Sequence, residues 1–413
     1  MRLLYTFSVR CYYLLILFAS PFNRKARQWL RGRKNIFSEL AQAIKTGEPL
    51  VWFHCASLGE FEQGRPIIER VKKEKPSVKI LLTFFSPSGY EARNDYPGAD
   101  HIFYLPLDTP GNAKKFLEIA KPQAVIFVRY EFWYNYLAAI KKKNIPLYLA
   151  SGTFRTDHVF FKGRGRWFRE QLKSFTHFFV QDETSERLLK EAGFANVSVT
   201  GDTRFDRVAM IAAEKKDFPS VEKFAGGHKV LIGGSTWGKE EDILASKINL
   251  LSGWKIIIAP HLVDEAHLSA IENKFRELNC IRYSRVSGEN IHAYDLLIID
   301  SIGILAQLYR YGTIAFIGGG FGSGIHSLLE ASAFGVPVIF GPNHYKFHEA
   351  MGLINSGGGF CINNAADFEK TFTFLSGDPL VMRMASLAGS NYVLSHKGAT
   401  EKTAKVILAD LPG

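Results

Sequence analysis

Cysteine is scarce in this chain: Cys11, Cys55, Cys280 and Cys361 are the four in 413 residues, and none forms a CxxC pair. Their wide spacing excludes a disulfide framework and a cysteine zinc site, and fits reduced thiols in a cytosolic setting. No D-x-D triplet is present to hold a metal-bound diphosphate. His344 and His348 stand four apart without a third ligand, so no resident metal is expected. With 46% hydrophobic and 22% charged residues, neither a disordered chain nor a polytopic membrane protein fits. Short-period repeats are missing too, which removes solenoids and collagen-like folds.

Acidic residues are absent from positions 1–34, which hold Arg2, Arg10, Arg24, Lys25, Arg27, Arg31, Arg33 and Lys34 and so supply +8 of the net +11. The remaining chain is nearly neutral, with 43 basic against 40 acidic side chains. Charge gathered beside an apolar run points to a membrane surface rather than to nucleic acid, and no nucleic-acid partner is expected. The apolar run covers 11–22, preceded by 3–9 with Arg10 between them. Its uninterrupted part is too short for about 30 Å of hydrocarbon, whereas 3–22 just suffices if Arg10 snorkels. Spanning and in-plane readings both leave it at the bilayer. Six basic residues within 24–34 put the following domain on the cytoplasmic side. A cleaved signal peptide would carry its charges before the run, not after it.

From about residue 48 short β-rich runs alternate with turns and helical patterns, the mark of an α/β chain with parallel sheets. Strands are expected at 51–55, 79–84, 124–128, 146–150 and 177–180, then at 229–232, 254–259, 295–299, 313–317 and 337–340. The polar stretch 206–227, ending in Gly226 and Gly227, reads as a linker. The expected domains are therefore an anchor with basic segment at 1–34, a Rossmann-like domain at 35–205, the linker, and a second Rossmann-like domain at 228–413, the two facing a central cleft.

In doubly wound sheets ligands bind beyond the carboxyl ends of the strands. After the first strand comes HCASLGE at 54–60, where Glu60 is placed to take a proton from an attacking hydroxyl. The same spacing suits a helix-start carboxylate balancing the macrodipole. Ser57 is not a nucleophile elbow, because Cys55 stands where the first glycine is needed. After the strand at 313–317, residues 318–324 contain five glycines, Gly318, Gly319, Gly320, Gly322 and Gly324, with Phe321 and Ser323 between them. Such a loop lets backbone approach a phosphate ahead of a helix expected near His326. It is not a dinucleotide fingerprint, since the acid expected some 20 residues later is missing. His326 and Glu330 are four apart, on one face if helical, with Ser327 beside them. Glu330 lies among apolar neighbours, where an idle carboxylate is costly, and a ribose is the expected ligand. Pro260 and His261 follow the strand at 254–259, where a histidine contacts a ligand or serves a structural role.

HCASLGE at 54–60, YEFW at 130–133, GDTRFD at 201–206, GGST at 233–236, APH at 259–261, SIG at 301–303 and GGGFGSGIHSLLEASAFGVPVIFGP at 318–342 follow one another in order. Together they resemble the Kdo transferases, the 3-deoxy-D-manno-octulosonic acid transferases specific for lipid A, over nearly the whole chain. The resemblance implies a GT-B fold, a CMP-Kdo donor and a lipid A precursor as acceptor at the cytoplasmic face of the inner membrane. It makes Glu60 the proton acceptor, with Ser57, Gly59 and Glu131 on the acceptor side. CMP contacts are implied for Pro260, His261, Ile302, Gly303, Ile304, Gly320, Gly322, Gly324, His326, Ser327, Leu328, Leu329 and Glu330, and a donor contact for Arg204. His261 replaces an arginine, Ile304 a glutamate and Ser327 an asparagine of the family pattern, and Arg204 often reads lysine in relatives.

The implied reaction is metal-independent displacement with inversion, in which CMP-Kdo is a substrate and no cofactor is required. Two other readings use the same features: a GT-B enzyme acting on a UDP-sugar, as transferase or epimerase, and a membrane-tethered nucleotide-binding protein without catalysis.

Overall fold

The computed structural model describes residues 1–214, 216–286 and 290–411. They form two compact units, 1–207 with 397–413, and 208–396.

In the first unit β1 (Leu50–Cys55), β2 (Lys79–Phe84), β3 (His101–Tyr104), β4 (Ala124–Val128), β5 (Leu147–Gly152), β6 (His177–Val180) and β7 (Val197–Val199) make one parallel sheet, ordered β3-β2-β1-β4-β5-β6-β7. Helices cover both faces, so a central strand must be apolar on both sides. In β1, Leu50 and Trp52 enter one core while Val51, Phe53 and Cys55 enter the other. The chain runs from β1 to β2 on one side and from β4 to β5 on the other, so the switch point of the sheet lies between β1 and β4.

In the second unit β8 (Val230–Thr236), β9 (Lys255–Pro260), β10 (Cys280–Arg282), β11 (Leu296–Ile298), β12 (Ile314–Ile317), β13 (Val338–Phe340) and β14 (Gly359–Cys361) are parallel, ordered β10-β11-β9-β8-β12-β13-β14. Here the switch point lies between β8 and β12. Two doubly wound parallel sheets in one chain are the α/β, GT-B architecture that the resemblance implies.

Each expected strand is present and begins within one residue of its expected start. The domain limits differ. The stretch expected as a linker carries two helices, Thr203–Glu214 and Pro219–Ala225, and the second of these buries Val221 and Phe224. At the other end, residues 397–413 belong to the first unit instead of the second. The cause is a cap and an apolar face. Asp206 accepts the N–H groups of Gly398 at 2.7 Å and Thr400 at 2.8 Å, satisfying donors at the start of the helix Ala399–Asp410. Ile407 and Leu411 then join the core that holds Val51 and Phe53.

The N-terminal helix Arg2–Ala19 passes through Arg10 without a break. It is the one described helix long and apolar enough to cross a membrane by length and composition. One side docks on the first unit. The Tyr5 hydroxyl donates to Asp108 at 2.6 Å, Arg2 Nε donates to Asn135 Oδ1 at 3.1 Å, and the Tyr12 ring lies 6.2 Å from those of Trp29 and Phe85. Its other side exposes Leu3, Leu4, Phe7, Leu14, Leu15 and Phe18.

Candidate functional site

Both switch points carry the side chains singled out from the sequence. At the first, Ser57 is extended and precedes the helix Leu58–Glu74. Its hydroxyl does not cap that helix but donates to the Glu60 carboxylate. Glu60 lies in the first turn and is half-buried, while Gly59 is exposed. The carboxylate therefore combines the helix-start position with a fixed orientation and access to solvent. Cys55 is no rival nucleophile, because burial and then the charge of Glu60 push its thiol well above its usual range.

Glu131, after β4, is buried at 8% exposure. Trp133 Nε1 donates to its carboxylate and also to His54 Nε2 at 3.0 Å, and His54 Nε2 stands 3.3 Å from that carboxylate. On the other side of the imidazole, Trp52 Nε1 donates to Thr83 Oγ1 at 2.7 Å, and His54 Nδ1 lies 2.9 Å from Thr83 Oγ1 and 3.1 Å from Thr83 O. His54 and Thr83 did not emerge from the sequence as functional. The available signal was a histidine inside LVWFHC, a strand whose burial on both faces obliges every polar group to find a partner.

Arg204 grips Asp202 through Nε at 2.8 Å and a terminal nitrogen at 2.7 Å. Burial alone would raise the Asp202 pKa, but this guanidinium holds it below the usual carboxylate range. Much of the charge expected from Arg204 toward a donor is thus met by Asp202, just before the helix that carries Arg204.

At the second switch point the helix expected near His326 is Leu329–Ala333. His326 precedes it, so His326 and Glu330 do not share a helical face. The reason is internal hydrogen bonding: Gly322 and Gly324 N–H bond to Gly319 O at 2.9 and 3.2 Å, and His326 N–H bonds to Gly318 O at 3.1 Å, which prolongs the turn. The buried Glu240 braces this loop, accepting the N–H of Gly319 at 2.8 Å and that of Trp237 at 3.1 Å.

His261, next to Pro260 at the end of β9, meets the loop through rings. Trp237 Nε1 donates to His326 Nε2 at 3.1 Å, setting the two rings side by side. The His261 ring lies across both, with centroids 4.6 Å from Trp237 and 4.4 Å from His326 and interplanar angles of 25° and 19°. Trp237 and Glu240 were missed from sequence. Only WGKE, an acid three residues into a helix start, hinted at the capping role.

The remaining candidates are scattered. Ser327 is exposed and Glu330 half-buried, and burial followed by the charge of Glu330 raises the Tyr309 hydroxyl pKa. Leu328 and Leu329 are each 1% exposed, so their side chains serve the core and only their backbone is available to a ligand. Ile302, at 88% exposure, Gly303 and Ile304 follow β11, which β9 separates from β8.

Burial, reinforced by neighbouring His261, pulls the His326 pKa from 6.5 down to about 4. In the unfolded chain His326 protonates near 6.5, so between these values the unfolded state binds more protons. The resulting stability is present above pH 6.5 and is lost as pH falls through about 4. His326→Gln keeps an acceptor for the Trp237 indole without titrating, so its melting temperature should fall less than wild type between pH 7 and pH 4.5. Parallel melting profiles would count against the neutral His326 acceptor.

Residues 30–207 match the family described as 3-deoxy-D-manno-octulosonic-acid transferase (kdotransferase). The chain is 28% identical to the 3-deoxy-D-manno-octulosonic acid transferase of Aquifex aeolicus, over 81% of this chain and 88% of that protein. It is 27% identical to the protein of the same name from Bordetella pertussis, over 86% of this chain and 85% of that one. Among solved structures, UDP-GlcNAc 2-epimerase from Neisseria meningitidis superposes with a TM-score of 0.62 at 17% identity, covering 87% of this chain and all of the other. At that identity the likeness is one of fold.

Proposed function

We propose that the chain is a Kdo transferase, moving Kdo from CMP-Kdo to a glucosamine hydroxyl of a lipid A precursor; the family model matched over residues 30–207 and the relatives 27–28% identical over most of the chain support this reading. The observation that carries the mechanism is the Ser57–Glu60 pair at the β1 end of the first switch point. Glu60 takes the proton of the acceptor hydroxyl as that oxygen attacks the anomeric carbon, and CMP leaves from the opposite face, inverting the centre. Ser57 orients the carboxylate, at the cost of occupying part of its acceptor capacity. Glu131, fixed by His54 and Trp133, lies on the acceptor side.

The second unit binds the donor. The loop 318–324 takes the phosphate through N–H groups not already spent within the turn, and the rings of Trp237, His261 and His326 offer a flat surface to the nucleotide. Support for this assignment is their convergence on the β8–β12 switch point. CMP-Kdo is a substrate here, and the proposed displacement uses no cofactor or metal.

The first 34 residues bind the cytoplasmic face of the inner membrane. Their outward apolar stripe enters the interface while the basic residues meet anionic headgroups, each worth about 1 kcal/mol. Docking of Tyr5 and Tyr12 on the first unit favours a helix lying in the membrane plane. Leu15→Asp with Phe18→Asp, both exposed in the native chain, should lower flotation with anionic vesicles several-fold and leave CMP affinity unchanged. Undiminished flotation would remove this stripe from membrane binding.

The decisive assay incubates the full chain with CMP-Kdo and the lipid A precursor, or with UDP-GlcNAc, and weighs the lipid and the sugar nucleotides. Lipid heavier by Kdo, with CMP released, is the expected result. Turnover of the UDP-sugar alone, or nucleotide binding without product, defeats the proposal.

A further inference from the structure

The reaction as derived leaves one cation at the first switch point without a role. Arg129 directly follows β4 with φ at +71°, and Ser151, at the corresponding place in β5, has φ at +51°. Both lie in the left-handed region, unusual for residues other than glycine, asparagine and aspartate. Such strain persists only where the surroundings impose it, and it concentrates where ligands bind. The sheet register locates Arg129. His54 pairs with Phe127 and Val128 with Ala150, so Arg129 is level with the start of the 56–60 loop on one side and with Ser151 on the other.

The local structure holds the backbone and leaves the side chain uncommitted. Arg129 N–H bonds to Ala150 O at 2.9 Å, and Gln181 Nε2 donates to Ser151 O at 3.1 Å. The guanidinium carbon sits 4.8 Å from the centre of the Tyr130 ring, which fixes its plane. Among the described residues the Arg129 side chain makes no hydrogen bond and no ion pair, and its Nε is buried without a partner. The neighbouring carboxylates are already engaged: Asp202 with Arg204, Glu131 with His54 and Trp133, and Glu60 with Ser57. Asp202 lies near enough to feel the Arg129 charge but spends its hydrogen bonds on Arg204, so the pre-oriented guanidinium, with no carboxylate hydrogen-bonded to it among the described residues, fits a planar oxyanion in two-pronged geometry.

We propose that Arg129 anchors an oxyanion of the bound substrate, a phosphate of the acceptor or the carboxylate of the transferred sugar. This rests on the Kdo-transfer reading, whose two substrates carry these groups. Arg129→Asn removes the charge while suiting the left-handed backbone, and Arg129→Lys keeps charge without the fork. In steady-state assays of the full chain, Arg129→Asn should raise the KM of one substrate about tenfold, Arg129→Lys less, with kcat of both within about threefold of wild type. An acceptor lacking phosphate erases the difference if phosphate is the ligand, whereas a raised KM for CMP-Kdo identifies the carboxylate.

Arg129→Asn should melt at or above the wild-type temperature, since it relieves strain and deletes an unpaired buried donor. A residue kept for structure alone would instead lower the melting temperature and leave both KM values unchanged, and that outcome overturns the proposal. Inorganic phosphate supplies a probe that needs no turnover: it should raise the melting temperature of wild type more than that of Arg129→Asn. Equal shifts also overturn the proposal. If wild type transfers no Kdo, the reading of the reaction fails by itself, and the phosphate shift still decides the role of Arg129.

Discussion

Glu60→Gln should leave a folded protein that binds CMP with unchanged affinity and transfers Kdo about 10³-fold more slowly, within the range that general bases supply. The amide keeps the volume of the carboxylate and can still accept from the Ser57 hydroxyl, so packing at the start of the helix Leu58–Glu74 is preserved. What it cannot do is take a proton from the attacking oxygen. The loss should therefore appear in kcat with the donor KM nearly constant, because the interaction removed is one made in the transition state. Ser57→Ala separates orientation from proton transfer: it frees the carboxylate to rotate without removing it, and the expected loss is smaller. Full activity in Glu60→Gln would leave that carboxylate only its helix-start role.

Gly320→Ala should disable the second unit by a steric route. A Cβ on Gly320 would lie 2.5 Å from the nitrogen and 2.7 Å from the Cα of Gly341, and neither can swing aside as a side-chain tip would. Gly341 directly follows β13, whose paired strand resists movement, so the loop must move. Overpacking of this kind costs about 2 kcal/mol, which corresponds to roughly 6 °C in melting temperature for a unit of this size. Displacement of the loop also disturbs His326 and its ring partners, and a shift of about 1 Å can lower kcat/KM on the order of 10²-fold. Gly322→Ala is the control. Its nearest atom would be Gly319 O at 3.6 Å, ordinary contact, and the change should stay within about 0.5 kcal/mol. Equal effects of the two substitutions would remove close backbone approach as the reason for glycine at 320.

The strands legible in the sequence are those at the middle of the two sheets. β3, β7, β10 and β14 were not legible, and each is the outermost strand of its sheet. Only one residue in each is fully buried, so none shows the continuous apolar run that marks a strand covered on both faces. The site divides in the same manner. Ser57, Glu60 and the glycine loop could be found because they occupy strand-to-helix connections with a recognisable composition. His54, Thr83, Trp237 and Glu240 act through partners distant in the chain, such as Trp237 with His326, 89 positions later. Arg129 was passed over because nothing in its neighbours reveals that its backbone is left-handed or that the carboxylates near it are hydrogen-bonded to other partners.

Amino-acid order alone determined the parallel α/β class, the two series of buried strands and the basic, apolar character of the first 34 residues, because burial on both faces and charge segregation are local properties of the chain. Only the tertiary structure decided that residues 397–413 return to the first unit, that His326 stands outside the helix it was expected to open, and which rings and carboxylates meet at each switch point. Those outcomes depend on which distant groups satisfy a buried donor or cover an apolar face, and that competition is resolved only when the whole chain is packed.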